Sequence, residues 1–424
     1  MFETLKSYRS FYALVAVSAL FGGLASSILA PYVRGLGFDA AHYGLFAASI
    51  AIGSLVGGLV GGFLSDLASP KILVVFSALL SALGYAILSA NGAESLVVAA
   101  LLLGIAGGAG GAALLILAVR MQSASSKSLE EPIVALQATS LIATSFGMLL
   151  GWIPVVVSTV SGLEITFVYR GALLACGLGS AVLVLLLVRK IPPVVGKRGS
   201  ERNPLAESSG DKIDLKPLAK LVFVGLLISF GAGLSVHIID FYFTKKFGFD
   251  SGRLGTLMSA QNLLMGLGMF MAQRVSRELG NPIKTYIIIS STSVPLLIAM
   301  TFVSSPLLAS SIYVARTFFM NIANPLYQAF ELSLVPDRYR GRFLAFLNVA
   351  SIVPAAVGRA LGGALMTYDL ELPLRLTALI YAIAFILLAI WFPKAAPTPT
   401  DFRKIGNLLV KTMTPIIKLY SLAK

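Results

Sequence analysis

The chain has 424 residues, 57% of them apolar and only 12% charged, with a mean hydropathy of +0.87. A soluble domain carries about a quarter charged residues, so a disordered chain, a coiled coil and a nucleic-acid-binding array are excluded. The net charge of +14 therefore has to be read by position, and the single cysteine, Cys176, removes a disulfide framework and a cysteine metal site.

A bilayer core about 30 Å thick takes roughly 20 apolar residues as a helix. Twelve such runs predict spans over 10–33, 43–64, 72–88, 96–119, 133–157 and 167–188, then 221–243, 254–272, 286–303, 307–334, 343–366 and 374–392. The first run lacks the small-residue cleavage pattern of a removable signal peptide, so it is expected to remain as a span. If the N-terminus is cytoplasmic, 25 Lys and Arg residues fall on its side and 6 on the other, with Arg316 and Arg359 inside spans. That bias predicts a multi-pass protein of the cell membrane with both termini cytoplasmic, its positive charge held against anionic lipid.

The polar stretch 189–219, rich in Pro, Gly, Ser and mixed charge, reads as a cytoplasmic linker. It separates a six-helix bundle over 1–188 from a second over 220–393. A tail over 394–424 repeats Lys404, Lys411 and Lys418 every seven residues and reads as an amphipathic helix on the membrane surface.

The two bundles also repeat in sequence. Gly37-Phe38-Asp39 with Gly44 recurs 211 residues later as Gly248-Phe249-Asp250 with Gly255. The same offset carries Gln137, Ser140, Gly147 and Gly151 onto Asn348, Ser351, Gly358 and Gly362, and Gly22 onto Gly233. Two six-span halves in the same orientation are related by an axis along the membrane normal. The expected fold is all-α, integral to the membrane, with twelve helices in two parallel six-helix repeats.

After the second span comes Gly62-Phe63-Leu64-Ser65-Asp66, followed by Lys71. With the duplicated six-span plan, this loop resembles the signature of the major facilitator superfamily, and the resemblance covers about 10–392. It lacks the basic residue directly after the aspartate and the later glycine. The resemblance implies a latch role for Asp66, with Gly62 and Lys71 as companions. It also implies a central cavity lined by spans 1, 4, 7 and 10 with 2, 5, 8 and 11.

No zinc-protease, nucleophile-elbow or nucleotide-loop motif occurs, so no enzyme, metal or cofactor is expected. The run Gly107–Gly111 lies inside an apolar span, where close helix packing is the better explanation. Charge inside spans is different. A central charge costs about 2.5–3.5 kcal/mol on insertion scales, so it is expected to face a watery cavity or a partner.

Arg316 and Arg359 are expected to bind substrate, with Gln137, Asn348, Asn321, Asn324 and Gln261 completing the site; Asn262 and Gln328 lie in the same helices. Asp240 and His237 are expected to carry protons, unless Asp240 is a fixed ion-pair partner of an arginine. By the 211-residue offset their counterparts are Leu29 and Ser26, and those of the arginines are Ile105 and Met148, so the charge belongs to one half. Gly147, Pro154, Pro354 and Gly358 are expected hinges in spans 5 and 11.

The function expected is secondary transport of a small molecule by alternating access, coupled to H+, by a monomer with no nucleic-acid partner. A small organic anion is the favoured cargo. Efflux of amphipathic compounds is the alternative, and a non-transporting receptor a distant one.

Overall fold

A computed structural model describes residues 9–67, 69–90, 92–123, 130–191, 215–279, 281–336 and 339–393. The expected tail helix and most of the linker lie outside the described residues. Among them every regular element is helical. The first half holds α1 (Arg9–Gly35), α2 (Ala40–Leu67), α3 (Pro70–Leu88), α4 (Ala93–Ser123), α5 (Glu130–Leu149), α6 (Trp152–Ser161) and α7 (Ile165–Val188). The second holds α8 (Leu215–Leu234), a 3-10 turn (Val236–Ile238), α9 (Ile239–Phe247), α10 (Ser251–Leu279), α11 (Pro282–Ser291), α12 (Ser293–Thr301), α13 (Pro306–Ile322), α14 (Asn324–Ser333), α15 (Arg340–Tyr368) and α16 (Leu372–Trp391).

Ten of these stretches, some joined across a break, are long and apolar enough to cross a membrane. The other two expected spans are α10 and the pair α13–α14. Side chains such as Phe167, Leu178, Leu379 and Ile386 are exposed. A soluble monomer does not leave apolar surface of that extent in water.

The sequence repeat is a structural repeat. Gly37 and Gly248 both have positive φ, +86° and +68°, a backbone that residues with a Cβ resist. Asp39 Oδ1 then accepts from the His42 amide at 3.0 Å, and Asp250 Oδ1 from the Arg253 amide at 2.8 Å. Each copy thus ends one helix with glycine and caps the next with aspartate.

Four spans expected to be continuous are broken. The fifth divides at Leu150–Gly151, where Gly151 N bonds back three residues to Met148 O (3.0 Å) and Pro154 has no amide for the continuing ladder. The seventh unwinds between Leu234 and Ile239 through the 3-10 turn. The ninth is interrupted at Thr292, and the tenth at Ala323, just before Asn324-Pro325. The eleventh runs unbroken through Pro354.

Contacts divide the chain into two compact units. One comprises Met1–Gly210, Ala232–Leu263 and Val349–Pro373; the other comprises Asp211–Gly231, Leu264–Asn348 and Leu374–Lys424. In the first, Phe11, Leu14, Leu73, Leu117 and Val184 build a core from spans 1, 3, 4 and 6. At the end away from the linker, glycine brings backbones together in a mirrored way. A Cβ on Gly44 would meet the Arg359 carbonyl oxygen at 2.5 Å, and one on Gly255 would collide with the Met148 carbonyl. Those four residues are two pairs related by the 211-residue offset.

The second unit packs on aromatics. Tyr286 lies 4.6 Å from Tyr327 and 6.0 Å from Phe385, ring to ring, and Tyr327 donates to Leu221 O at 2.9 Å.

Candidate functional site

The unwound part of the seventh span carries its polar residues. His237 sits in the 3-10 turn and Asp240 in the first turn of α9, where the free amides and positive end of the helix favour a carboxylate. Asp240 Oδ1 accepts from the Phe241 amide at 2.9 Å. Its Oδ2 accepts a short hydrogen bond from the Tyr43 hydroxyl of the second span. The Tyr43 ring stacks on Phe241 at 4.9 Å, which fixes the hydroxyl's approach.

Arg359 of the eleventh span completes this cluster. Its Nη1 donates to Ala47 O at 3.0 Å, Nε donates to His237 Nδ1 at 3.1 Å, and Nη2 lies 2.5 Å from the same nitrogen. A guanidinium has only donors, so Nδ1 is the acceptor and carries no proton in this arrangement. Protonation there would set two cations against each other. Asp240 and Arg359 do not make a direct ion pair; each is satisfied through its own partners. Spans 2, 7 and 11 are thereby tied by four side chains.

One turn along the second span from Ala47, Ile50 enters the wall of a cavity of about 740 Å³. That volume is in the range of small-molecule sites. Spans 1, 3, 4, 5 and 6 form most of the wall, with Asn262 from the eighth. Among the described residues its polar groups are hydroxyls, amides and the Cys176 thiol, with Ser18, Ser81, Tyr85, Gln137, Ser140 and Asn262 among them, and none of these lining side chains is charged.

Glycine makes the room. A Cβ on Gly107 or Gly111, or on Gly22 opposite, would meet nothing within 4 Å. The close-packing account of the Gly107–Gly111 run therefore holds for Gly108, whose missing Cβ lets the fourth span lie against the second at Ser54 and Gly58. It does not hold for Gly107 and Gly111, which line the cavity with nothing against them.

The remaining expected residues are dispersed. Arg316 is only 1% exposed; Nε donates to Ser293 Oγ at 2.9 Å, Nη2 to the Tyr381 hydroxyl at 3.2 Å, and the guanidinium lies over the Tyr381 ring at 5.5 Å. Two of its five N–H donors are thus held on spans 9 and 12. Asn321 donates to Thr317 O and Asn324 donates to Asn321 Oδ1, so these amides serve the helix break. Gln261 has a buried Oε1 with no partner among the described atoms, and Asn262 Nδ2 lies 3.5 Å from Met148 Sδ. Gln137 is exposed to the cavity, while Asn348 and Gln328 are exposed in the second unit.

Of the latch residues, Gly62 is open to added bulk, and Lys71 Nζ donates to Ile191 O at 2.7 Å. The Asp66 side chain lies outside the described residues, but Arg120 donates to the carbonyl of its neighbour Ser65 at 2.7 Å. Gly147, Pro154 and Gly358 are buried and Pro354 half-buried; Gly147 and Gly358 are close-contact points against Leu20 and Gly233.

Sequence reasoning missed two residues here. Tyr43 stands where the repeat has Leu254, a divergence readable from the same offset that marked Asp240 and Arg359. Glu331, near the end of the tenth span, is 4% exposed; its place three residues before the span boundary at 334 gives it the look of an interfacial residue.

A sequence profile described as Major Facilitator Superfamily matches residues 11–351 and 221–422. Among solved structures the fold is similar to a bacterial homolog of the human lysosomal transporter Spinster in an inward-facing, unoccupied conformation. That match has 12% identity and a TM-score of 0.71, over 92% of this chain and 98% of that one. It is similar to the nucleoside transporter NupG at 18% identity and TM-score 0.65, over 92% and 98%. It is also similar to a bacterial homologue of the iron transporter ferroportin in an inward-facing state, at 11% identity and TM-score 0.69, over 90% and 98%. No curated protein matches by sequence.

Proposed function

This chain belongs to the major facilitator superfamily, and on that premise we propose that it carries a small uncharged polar or amphipathic molecule by alternating access, coupled to protons. It is a transporter of the membrane and not an enzyme. The observation that carries the substrate class is the cavity wall, whose described residues offer hydroxyls, amides and apolar surface with no charged side chain among them. A polar solute held there exchanges water for protein hydrogen bonds, whereas an anion would lose its hydration without a counter-charge. The organic anion expected from Arg316 and Arg359 lacks this support, because neither arginine contributes to the wall and both have partners of their own.

Asp240 and His237 are the proton carriers in this reading. A proton on His237 Nδ1 removes the acceptor of Arg359, and a proton on Asp240 weakens its hold on the Tyr43 hydroxyl. Either event loosens the tie among spans 2, 7 and 11 and favours opening of that end. By linkage, opening changes proton affinity by the same factor. The basic-residue bias supports termini on the cytoplasmic side of the cell membrane, so this end faces outward. The halves 1–188 and 220–393 are the moving bodies, and one chain is the transport unit. Lys71 and Arg120, bonded at the opposite end, support a latch there with Gly62 and Asp66. The break beside Pro154 and the proline in α15, with Gly147 and Gly358, supply the flexing points.

The test begins with a thermal-shift screen of nucleosides, sugars, organic anions and amphipathic drugs, since a ligand stabilises the fold by mass action. Hits then go to proteoliposome uptake with and without a pH gradient. An uncharged compound should raise the melting temperature and be accumulated on the gradient. Gly107→Leu, which fills the cavity, should lose the ligand shift while keeping the unliganded melting temperature. Stabilisation by organic anions alone, or unchanged binding in Gly107→Leu, would refute the assignment.

A further inference from the structure

Glu331 is a carboxylate enclosed within the second unit. It is 4% exposed, and among the described residues no cation lies within ion-pair distance of it. Its surroundings are aromatic. Tyr327, one turn earlier on α14, and Tyr286 on α11 both lie within electrostatic range of the carboxyl, their rings 4.6 Å apart. The Tyr327 hydroxyl is committed to Leu221 O, and Lys220 beside it has its ammonium over the Trp391 ring at 5.7 Å. Arg316, on the other helix segment of the same span, is held by Ser293 and Tyr381. Lys284 shares a helix with Tyr286 and makes no ion pair with Glu331.

An ionised carboxylate without a counter-charge in so dry a place would cost several kcal/mol, and such groups take up a proton instead. A metal cation would need several oxygen ligands at once. Here the groups described beside the carboxyl are two tyrosines, one of them already donating elsewhere. We propose that Glu331 is a second proton-binding site of the transport cycle, neutral while enclosed and ionised when water reaches it. The exchange is simple in balance: the carboxylate takes H+ from a hydronium ion on one side and returns it to water after the enclosure opens. The inference rests on the proton-coupled reading above for its role, though not for the presence of the proton.

Infrared spectroscopy of the purified protein in lipid nanodiscs at neutral pH reads the proton directly. The wild type should show a protonated-carboxyl C=O band that Glu331→Gln removes and that Glu331→Asp shifts without removing. In proteoliposomes, Glu331→Gln should keep substrate exchange between the two sides but lose most of the accumulation driven by a pH gradient. Identical spectra for wild type and Glu331→Gln would overturn the proposal. So would loss of the band with gradient-driven accumulation intact, or stabilisation by Na+ that vanishes in Glu331→Gln. If Glu331→Gln does not fold, the shifted band of Glu331→Asp decides. A wild type that exchanges substrate but ignores pH gradients would sink proton coupling instead, and the band would then stand or fall alone as evidence for the buried proton.

Discussion

Gly44→Ala should open the end of the first unit that the mirrored glycine contacts hold shut. The added Cβ would stand 2.5 Å from the Arg359 carbonyl oxygen and 2.8 Å from Gly363 Cα, both backbone atoms. Ordinary contact begins at 3.4 Å, so the second and eleventh spans would have to part by about 0.9 Å at that point. Overpacking of this kind costs about 1–3 kcal/mol. If the open state does not contain the contact, the cost falls on the closed state alone, and the ratio shifts by roughly 5- to 150-fold. The reporter is Ser27→Cys in a Cys176→Ser background. Ser27 is 1% exposed and abuts Gly255 at the mirror-related contact, where its Cβ lies 3.3 Å from the point that a Cβ on that glycine would occupy. A thiol reagent added from the side away from the termini should modify it faster in Gly44→Ala by a factor in that range. Gly58→Ala, where the new methyl meets nothing within 4 Å, should leave the rate unchanged. A folded Gly44→Ala protein labelled at the control rate would refute the argument that the two contacts form one closure.

Two further outcomes follow from the same geometry. Arg316→Lys keeps the buried charge but cannot satisfy Ser293 and Tyr381 with one ammonium group, so it should lose about 1.5–3 kcal/mol of stability; ligand affinity of the folded protein should stay constant, and a weakened affinity at an unchanged melting temperature would mean that Arg316 binds cargo. Asp39, outside the spans, has its carboxyl held below the usual carboxylate range, chiefly by the His42 amide and also by the His42 ring. A depressed acid stabilises fully above its ordinary pKa and loses that contribution as pH falls through the folded value. Asp39→Ala should therefore cost about 1 kcal/mol at neutral pH, as for other lost caps. The gap in melting temperature from the wild type should close on acidification, and a gap that persists in acid would contradict the capping account.

Span positions and the repeat were readable because each rests on hydropathy or on a constant offset, signals that packing does not override. The helix breaks were less accessible. Asn324-Pro325 marks one plainly, but nothing in Leu234-Ser235-Val236 announces that the seventh span unwinds, and the partners that Asp240 and His237 find just past the break, on spans 2 and 11, are not carried by the local sequence. Side-chain partners followed the same divide. Arg316 and Arg359 looked alike as membrane arginines, yet one is enclosed by Ser293 and Tyr381 and the other faces His237 and a carbonyl. The better guide lay in the repeat. Tyr43, His237, Asp240 and Arg359 each occupy a position where the other half has Leu254, Ser26, Leu29 or Met148, so the cluster forms where the duplicated sequences part company. The glycines at 107 and 108 were likewise one composition with two destinations, since successive helical residues point 100° apart.

The neutral wall of the first-unit cavity has an energetic corollary. On the reading proposed above the cargo brings no charge of its own, so each proton that accompanies it is the net charge moved per cycle. The voltage across the membrane then acts on transport in full, at about 2.3 kcal/mol per elementary charge for every 100 mV. That is a factor of roughly fifty in the gradient a single-proton symporter can sustain, at about 1.4 kcal/mol per tenfold. Charges fixed on the protein return to their starting place in every cycle, so on the proposed reading the proton count alone sets the current, which can be recorded on a planar bilayer or solid-supported membrane.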